Sequence, residues 1–193
     1  MSDFSKTKTC ENLMKAFAGE SQARNRYTMY AKVAQKEGYE QIAAIFLETA
    51  DNERIHAKLF FNHLTARLNG AGVQICATYP AAIGTTQENL GFAAAGEHEE
   101  WHDLYAEFAR VAEEEGFADV ARTFKLIAPI EKRHEERYLK LLERVQNETV
   151  FVRDGKVFWK CRECGHVAEM SKAPERCPVC DHPRAFFEIF QEV

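Results

Sequence analysis

A Glu-x-x-His step occurs twice in this chain at a fixed separation. Glu53-Arg-Ile-His56 returns 78 positions later as Glu131-Lys-Arg-His134. The surrounding frame returns with it, because Gly38, Ile42, Phe46 and Ala50 map by the same offset onto Gly116, Val120, Phe124 and Ala128. A repeat of this kind is one supersecondary unit used twice. Its apolar positions fall at helical steps, so each copy is a helix that carries a glutamate and a histidine on one face. Two such helices in one bundle are how four-helix proteins hold a carboxylate-bridged pair of metal ions.

Four segments show the same apolar periodicity. The first runs through Leu13, Phe17, Ala23, Tyr27 and Tyr30, and the second through Ile42, Phe46, Thr49 and Phe60. The third contains Ala93, Leu104, Phe108 and Val111, and the fourth contains Val120, Phe124, Ile127, Tyr138 and Leu141. Each is a core-facing stripe. Gly38 and Gly116 mark tight turns within two antiparallel hairpins. From about Asn69 to Gln87 the pattern breaks at Gly70, Gly72, Pro80 and Gly84, and Thr85-x-x-Glu88 forms a capping box for the third helix. A connection this long lets the chain cross the bundle, which predicts a mainly α, ferritin-like four-helix arrangement over residues 1–147. Residues 148–193 form a second, small β/loop unit. Thr149–Val152 and Val157–Trp159, joined at Asp154-Gly155, predict a hairpin leading into the cysteines. So short a segment needs a structural metal.

The chain has 193 residues, 46% hydrophobic and 28% charged, with a formal charge of -5. That charge argues against nucleic acid or an anionic membrane as partner. No apolar run approaches a bilayer span, and MSDFSKTKTC has no signal-like apolar stretch, so a cytoplasmic location is expected. In a reducing compartment, paired Cys-x-x-Cys steps indicate metal before disulfide. Cys10 and Cys76 stand apart and read as thiols without a role.

The acidic residues lie on the stripes. Glu20 falls between Phe17 and Ala23; Glu53 and His56 between Thr49 and Phe60; Glu97 and Glu100 between Ala93 and Leu104; Glu131 and His134 between Ile127 and Tyr138. Isolated carboxylates in a core cost several kcal/mol each, and divalent cations remove that cost. Two metal ions are therefore expected, with iron and manganese both compatible with the donors. His63, His98 and His102 have no comparable placement. In the tail, Cys161, Cys164, Cys177 and Cys180 form two knuckles for a tetrahedral four-sulfur site suited to iron or zinc. Phe158, Trp159, Phe186, Phe187 and Phe190 are candidates to screen it from water.

Ala-Gly-Glu20, Glu53-Arg-Ile-His56, Gly96-Glu97-His-Glu-Glu100 and Glu131-Lys-Arg-His134, followed by four cysteines, resemble the rubrerythrins over essentially the whole chain. The resemblance implies that Glu53 and Glu131 bridge two irons, Glu20 and Glu100 serve one of them, and Glu97 and His134 serve the other. It also implies that the first iron exchanges Glu100 for His56 on reduction, and that Tyr27 and Tyr105 hydrogen-bond ligand carboxylates. The tail would hold a rubredoxin-type iron, with zinc as the alternative. Asp181 departs from the glycine usual after the last cysteine.

The activity so implied is a non-haem diiron peroxidase that reduces hydrogen peroxide, with electrons relayed through the four-cysteine iron. They would come from a small electron carrier or an NAD(P)H-dependent reductase, within a head-to-tail homodimer. No Gly-rich dinucleotide fingerprint is present, so the nicotinamide is not expected to bind this chain. The alternative is a ferroxidase that handles iron; a zinc-stabilised interaction module leaves the core carboxylates unexplained.

Overall fold

The two repeat copies fold as two helical hairpins. The first comprises α1 (Lys8–Lys36) and α2 (Glu40–Leu68). The second joins a broken helix to α5 (Ala118–Gln146); the broken helix consists of α3 (Thr86–His98), a π-helical segment (Glu99–Leu104) and α4 (Tyr105–Glu114). The computed structural model describes residues 3–190. Both hairpin turns take the left-handed conformation at glycine, with φ of 84° at Gly38 and 85° at Gly116. A side chain at either would clash with its own backbone. The following amides close the turns, Tyr39 N donating to Ala34 O at 2.8 Å and Phe117 N to Ala112 O at 2.7 Å.

The hairpins also cap each other. Glu37, beside the first turn, accepts the Thr86 amide of α3 at 2.9 Å. Glu115, beside the second turn, accepts the Lys8 and Thr9 amides of α1 at 3.0 and 2.8 Å. A carboxylate at a helix N-terminus satisfies orphan amides and meets the positive end of the helix dipole. Between the hairpins, residues 69–85 cross the bundle. Tyr79 donates its hydroxyl to Lys15 O and Tyr30 donates to Ala82 O, both at 2.8 Å, which ties the crossover to α1. The Thr85–Glu88 capping box forms as the sequence predicts.

Along every bundle helix the apolar residues divide into two clusters with the ionisable residues between them. One holds Tyr27, Tyr30, Phe46, Leu90 and Tyr138; the other holds Leu13, Phe60, Tyr105, Phe124 and Ile127. The bundle is therefore a polar layer set between two greasy halves. No helix among the described residues is long and apolar enough to cross a membrane.

The tail is an antiparallel sheet in the order β2-β1-β3, from β1 (Val152–Cys161), β2 (Val167–Lys172) and β3 (Phe187–Ile189). The hairpin expected at Asp154-Gly155 does not form. Both residues lie inside β1, and Gly155 is not among the glycines with positive φ. β1 turns back instead through the loop that carries Cys164, and Cys161 N donates to His166 O at 2.8 Å. Its register with β2 slips between Val152 and Val157, so a bulge absorbs the residues that looked like a turn. Val152 and Val157, which the Asp-Gly cue would have set against each other, both pair with β2 instead. Trp159 and Phe187 are buried beside the cysteines, but Phe158 is 50% exposed and does not screen them. The strand alternation that turns Trp159 inward turns its neighbour out.

Candidate metal centre

Four helices deliver their ionisable side chains to one place. Glu20, Glu53, His56 and Glu131 offer ligand atoms all within 4.8 Å of one another, and so do Glu53, Glu97, Glu131 and His134. The two groups share Glu53 and Glu131. His56 Nδ1 stands 2.8 Å from Glu131 Oε1 and 2.9 Å from Glu53 Oε2. His134 Nδ1 stands 2.9 Å from Glu131 Oε2, 3.3 Å from Glu53 Oε1 and 3.4 Å from Glu97 Oε2. The two imidazole rings lie 6.2 Å apart. Glu100 falls in neither group; its carboxylate stands to one side, near Gly19.

Tyr27 donates its hydroxyl to Glu97 Oε1 at 2.6 Å, and Tyr105 donates to Glu20 Oε1. Each tyrosine thus serves a glutamate from the other hairpin. Asn52 contributes a contact that the sequence did not suggest, its Oδ1 lying 3.2 Å from His134 Nε2. Such a partner fixes the ring and leaves Nδ1 directed at the carboxylates.

Burial, with Glu100, Glu131 and Glu53 close by, pushes the Glu20 carboxyl well above the usual range. Burial and Glu53 raise Glu97 to about 8, and burial with Glu97 raises Glu100 strongly. Burial also acts upward on Glu53, but His134 and His56 outweigh it and hold this carboxyl down at about 2. Burial acts downward on the histidines, yet their carboxylate partners lift His56 to about 9 and His134 to about 12. Protons are therefore standing in for positive charge, and a cation would release them.

Six atoms of this layer are buried without a well-aligned hydrogen bond, although imidazole and carboxylate atoms stand 2.8–3.4 Å apart: Glu20 Oε2, Glu53 Oε1, Glu97 Oε2, both oxygens of Glu131 and His134 Nδ1. Orphaned polar atoms at this density are costly in a protein interior. Two divalent cations fit them, because the two groups together hold four carboxylates and two imidazoles, which balances the charge with oxygen and nitrogen donors.

The π-helical segment explains where Glu100 stands. Gly19-Glu20 of α1 matches Gly96-Glu97 of α3 at an offset of 77, whereas Tyr27 matches Tyr105 at 78. One extra residue has entered the second hairpin between Glu97 and Tyr105. The helix takes it up as a π turn, in which Tyr105 N donates to Glu100 O five residues back. Glu97 and Tyr105 keep their inward direction, and Glu100 occupies the widened turn. The change of offset was visible in the sequence and was the signal for this element.

In the tail, Cys161, Cys164, Cys177 and Cys180 place their sulfurs within 4.8 Å of one another. Cys161 Sγ is 3.7 Å from Cys180 Sγ, and Cys164 Sγ is 3.5 Å from Cys177 Sγ. The two knuckles share one construction: Gly165 N donates to Cys161 O, and Asp181 N to Cys177 O, each at 2.9 Å. Gly165 takes φ 77° and Asp181 φ 60°, so aspartate adopts the left-handed turn that glycine fills in the first knuckle. Arg176 holds the Asp181 carboxylate at 2.7 and 2.6 Å. His63, His98 and His102 lie outside both centres; His63 faces Thr123 at 2.8 Å and His98 faces Glu135 at 3.0 Å.

The fold and its two clusters define a ferritin-like carboxylate bundle joined to a rubredoxin-like four-cysteine unit. Family models agree, with Rubrerythrin matching residues 11–142 and the rubredoxin-like domain of rubrerythrin matching 159–188. The chain belongs to the rubrerythrin family. It is 57% identical to Rubrerythrin-1 of Clostridium acetobutylicum over 96% of both chains. It is 55% identical to the rubrerythrin of Porphyromonas gingivalis, covering 94% of this chain and 90% of the relative. Among solved structures, fully reduced, all-ferrous nigerythrin is similar with a TM-score of 0.65 at 33% identity, over 98% of this chain and 94% of that one.

Proposed function

We propose that this chain is a non-haem diiron peroxidase that reduces hydrogen peroxide to water. The observation that carries this reading is the pair of ligand groups sharing Glu53 and Glu131, with their orphaned oxygens, beside a four-cysteine centre on the same chain. When bound, a pair of ferrous ions would supply the two electrons that cleavage of the O–O bond requires. Glu53 and Glu131 would hold both ions, Glu20 with His56 would complete one, and Glu97 with His134 the other. Tyr27 and Tyr105 keep Glu97 and Glu20 oriented through their hydroxyls. Glu100, set apart in the π turn, would replace His56 when the site carries more positive charge.

The four cysteines would hold a single iron that passes electrons one at a time to the bundle. A ferroxidase would have no use for that centre, which favours the peroxidase reading. The donor is proposed to be a small electron carrier or an NAD(P)H-dependent reductase. The bundle is proposed to span 1–147 and the tail 148–193, in a cytoplasmic head-to-tail homodimer.

Metal analysis with steady-state turnover tests the assignment. Wild-type protein should contain about three irons per chain, on the ligand count of the two centres. Glu53→Ala or Glu131→Ala should lose both bundle metals and all peroxide turnover while keeping the tail metal. Retention of two bundle metals and near-normal turnover in either variant would overturn it.

A further inference from the structure

Beneath the crossover lies a cavity of about 290 Å³ lined in part by Glu100 and Tyr105. Gly19 keeps it open. A Cβ there would stand 3.7 Å from both Glu100 Oε1 and Tyr79 Cε1, so a longer side chain would project between them. Tyr79 belongs to the roof, which its bond to Lys15 O holds against α1. Ala16, Leu104 and Phe108 give its lining apolar surface. Arg26 also lines the cavity; its Nε donates to Gln22 Oε1 at 2.5 Å, and its Nη1 is buried without a partner.

A water molecule occupies about 10–15 Å³ of such space, and hydrogen peroxide needs little more. The cavity is several times larger than that substrate requires, and its size approaches that of sites for small organic ligands. The apolar part of the lining offers nothing to hydrogen peroxide but would shelter an alkyl group from water. Resting on the peroxidase reading, we infer that this cavity is a binding site for small organic hydroperoxides. The alkyl group lies against Ala16, Leu104 and Phe108, and the peroxide group faces Arg26 and Glu100.

The reaction balances as it does for hydrogen peroxide. The O–O bond breaks, a reduced metal pair held in the bundle would supply the two electrons, two protons come from solvent, and the products are one alcohol and one water. Electrons return from the same donor.

The test uses the full-length, iron-loaded protein with hydrogen peroxide and tert-butyl hydroperoxide under one reductant. Both should turn over. Ala77→Trp and Thr78→Trp, at exposed roof positions, should lower the ratio of kcat/KM for tert-butyl hydroperoxide over hydrogen peroxide by about tenfold or more, as occlusion of an apolar site does. Crystals of the loaded protein soaked in tert-butanol should show the alcohol in the cavity, and crystals of the variants should not. Reduction of hydrogen peroxide alone, a ratio unmoved in both variants, or an alcohol-free cavity would each overturn the inference. Failure with both substrates would instead overturn the peroxidase reading, and the soak, which needs no turnover, would still decide whether the cavity takes the ligand.

Discussion

Tyr27, Tyr30 and Tyr105 are all buried to within 1% of complete, yet their hydroxyls have different work. Those of Tyr27 and Tyr105 end on Glu97 and Glu20, whereas that of Tyr30 ends on the carbonyl of Ala82. Removing a hydroxyl that orients a ligand carboxylate weakens metal affinity by about tenfold to a hundredfold. Removing one that ties a loop costs about 1 kcal/mol of stability. Tyr27→Phe and Tyr105→Phe should therefore release bundle metal at lower chelator concentration than wild type. Tyr30→Phe should leave the chelator titration unmoved and lower the urea midpoint. Equal chelator curves for all three variants would remove Tyr27 and Tyr105 from the metal centre.

At the scale of elements, the mutual caps and the π turn carry the most information. Burial acts to raise the Glu115 carboxyl, but hydrogen bonds from Thr9 and from the Lys8 amide outweigh it and hold it below the ordinary 4.5. A carboxyl depressed by folding contributes stability above its unfolded value and loses it as the pH falls through the folded one. Glu115→Gln should therefore destabilise the bundle at pH 7 by about 1 kcal/mol or less, since the group is exposed and screened. Urea melts should show the gap between variant and wild type closing as the pH falls below the ordinary 4.5, and a gap constant with pH would rule the cap out. The π turn makes a different prediction. Deleting the exposed Asp103 restores the spacing of the first hairpin and straightens the helix, which moves Glu100 to the position that Ala23 holds in α1. Helicity by circular dichroism should persist, and peroxide turnover should fall by at least about tenfold if Glu100 serves the site as proposed, because the turn that carries it has been re-aimed.

For the whole molecule, the geometry of α5 sets the question of assembly. His134 lies twelve residues before the end of that helix at Gln146, which is about 18 Å of helix at 1.5 Å per residue. The four-cysteine unit therefore begins well away from its own bundle centre, and the proposed head-to-tail homodimer would set a partner's unit nearer. Two inactive proteins test this, one lacking Cys161 and Cys164, the other lacking Glu53 and Glu131. Refolded together they should regain part of the turnover, because a mixed dimer pairs an intact tail with an intact bundle. Demonstrated mixed dimers with no activity would mean that electrons travel within one chain.

By itself the sequence predicted the bundle and, Glu100 excepted, the residues that come together in its two ligand groups and in the four-cysteine cluster. Periodicity, two glycine turns, a capping box and the repeated Glu-x-x-His are local signals, and each is read from a few neighbouring residues. Glu20, Glu53, Glu97, Glu131 and His134 had to meet because burial without a shared cation is too costly. Tertiary structure decided what depends on distant partners. It drew both Val152 and Val157 into pairing with β2 and left Asp154-Gly155 in the bulge between them, so no separate hairpin closes there. It turned Phe158 outward, opened a cavity at Gly19, and set His56 rather than Glu100 among the close carboxylates. These outcomes follow from packing between segments far apart in the chain, and no window of neighbouring residues contains them.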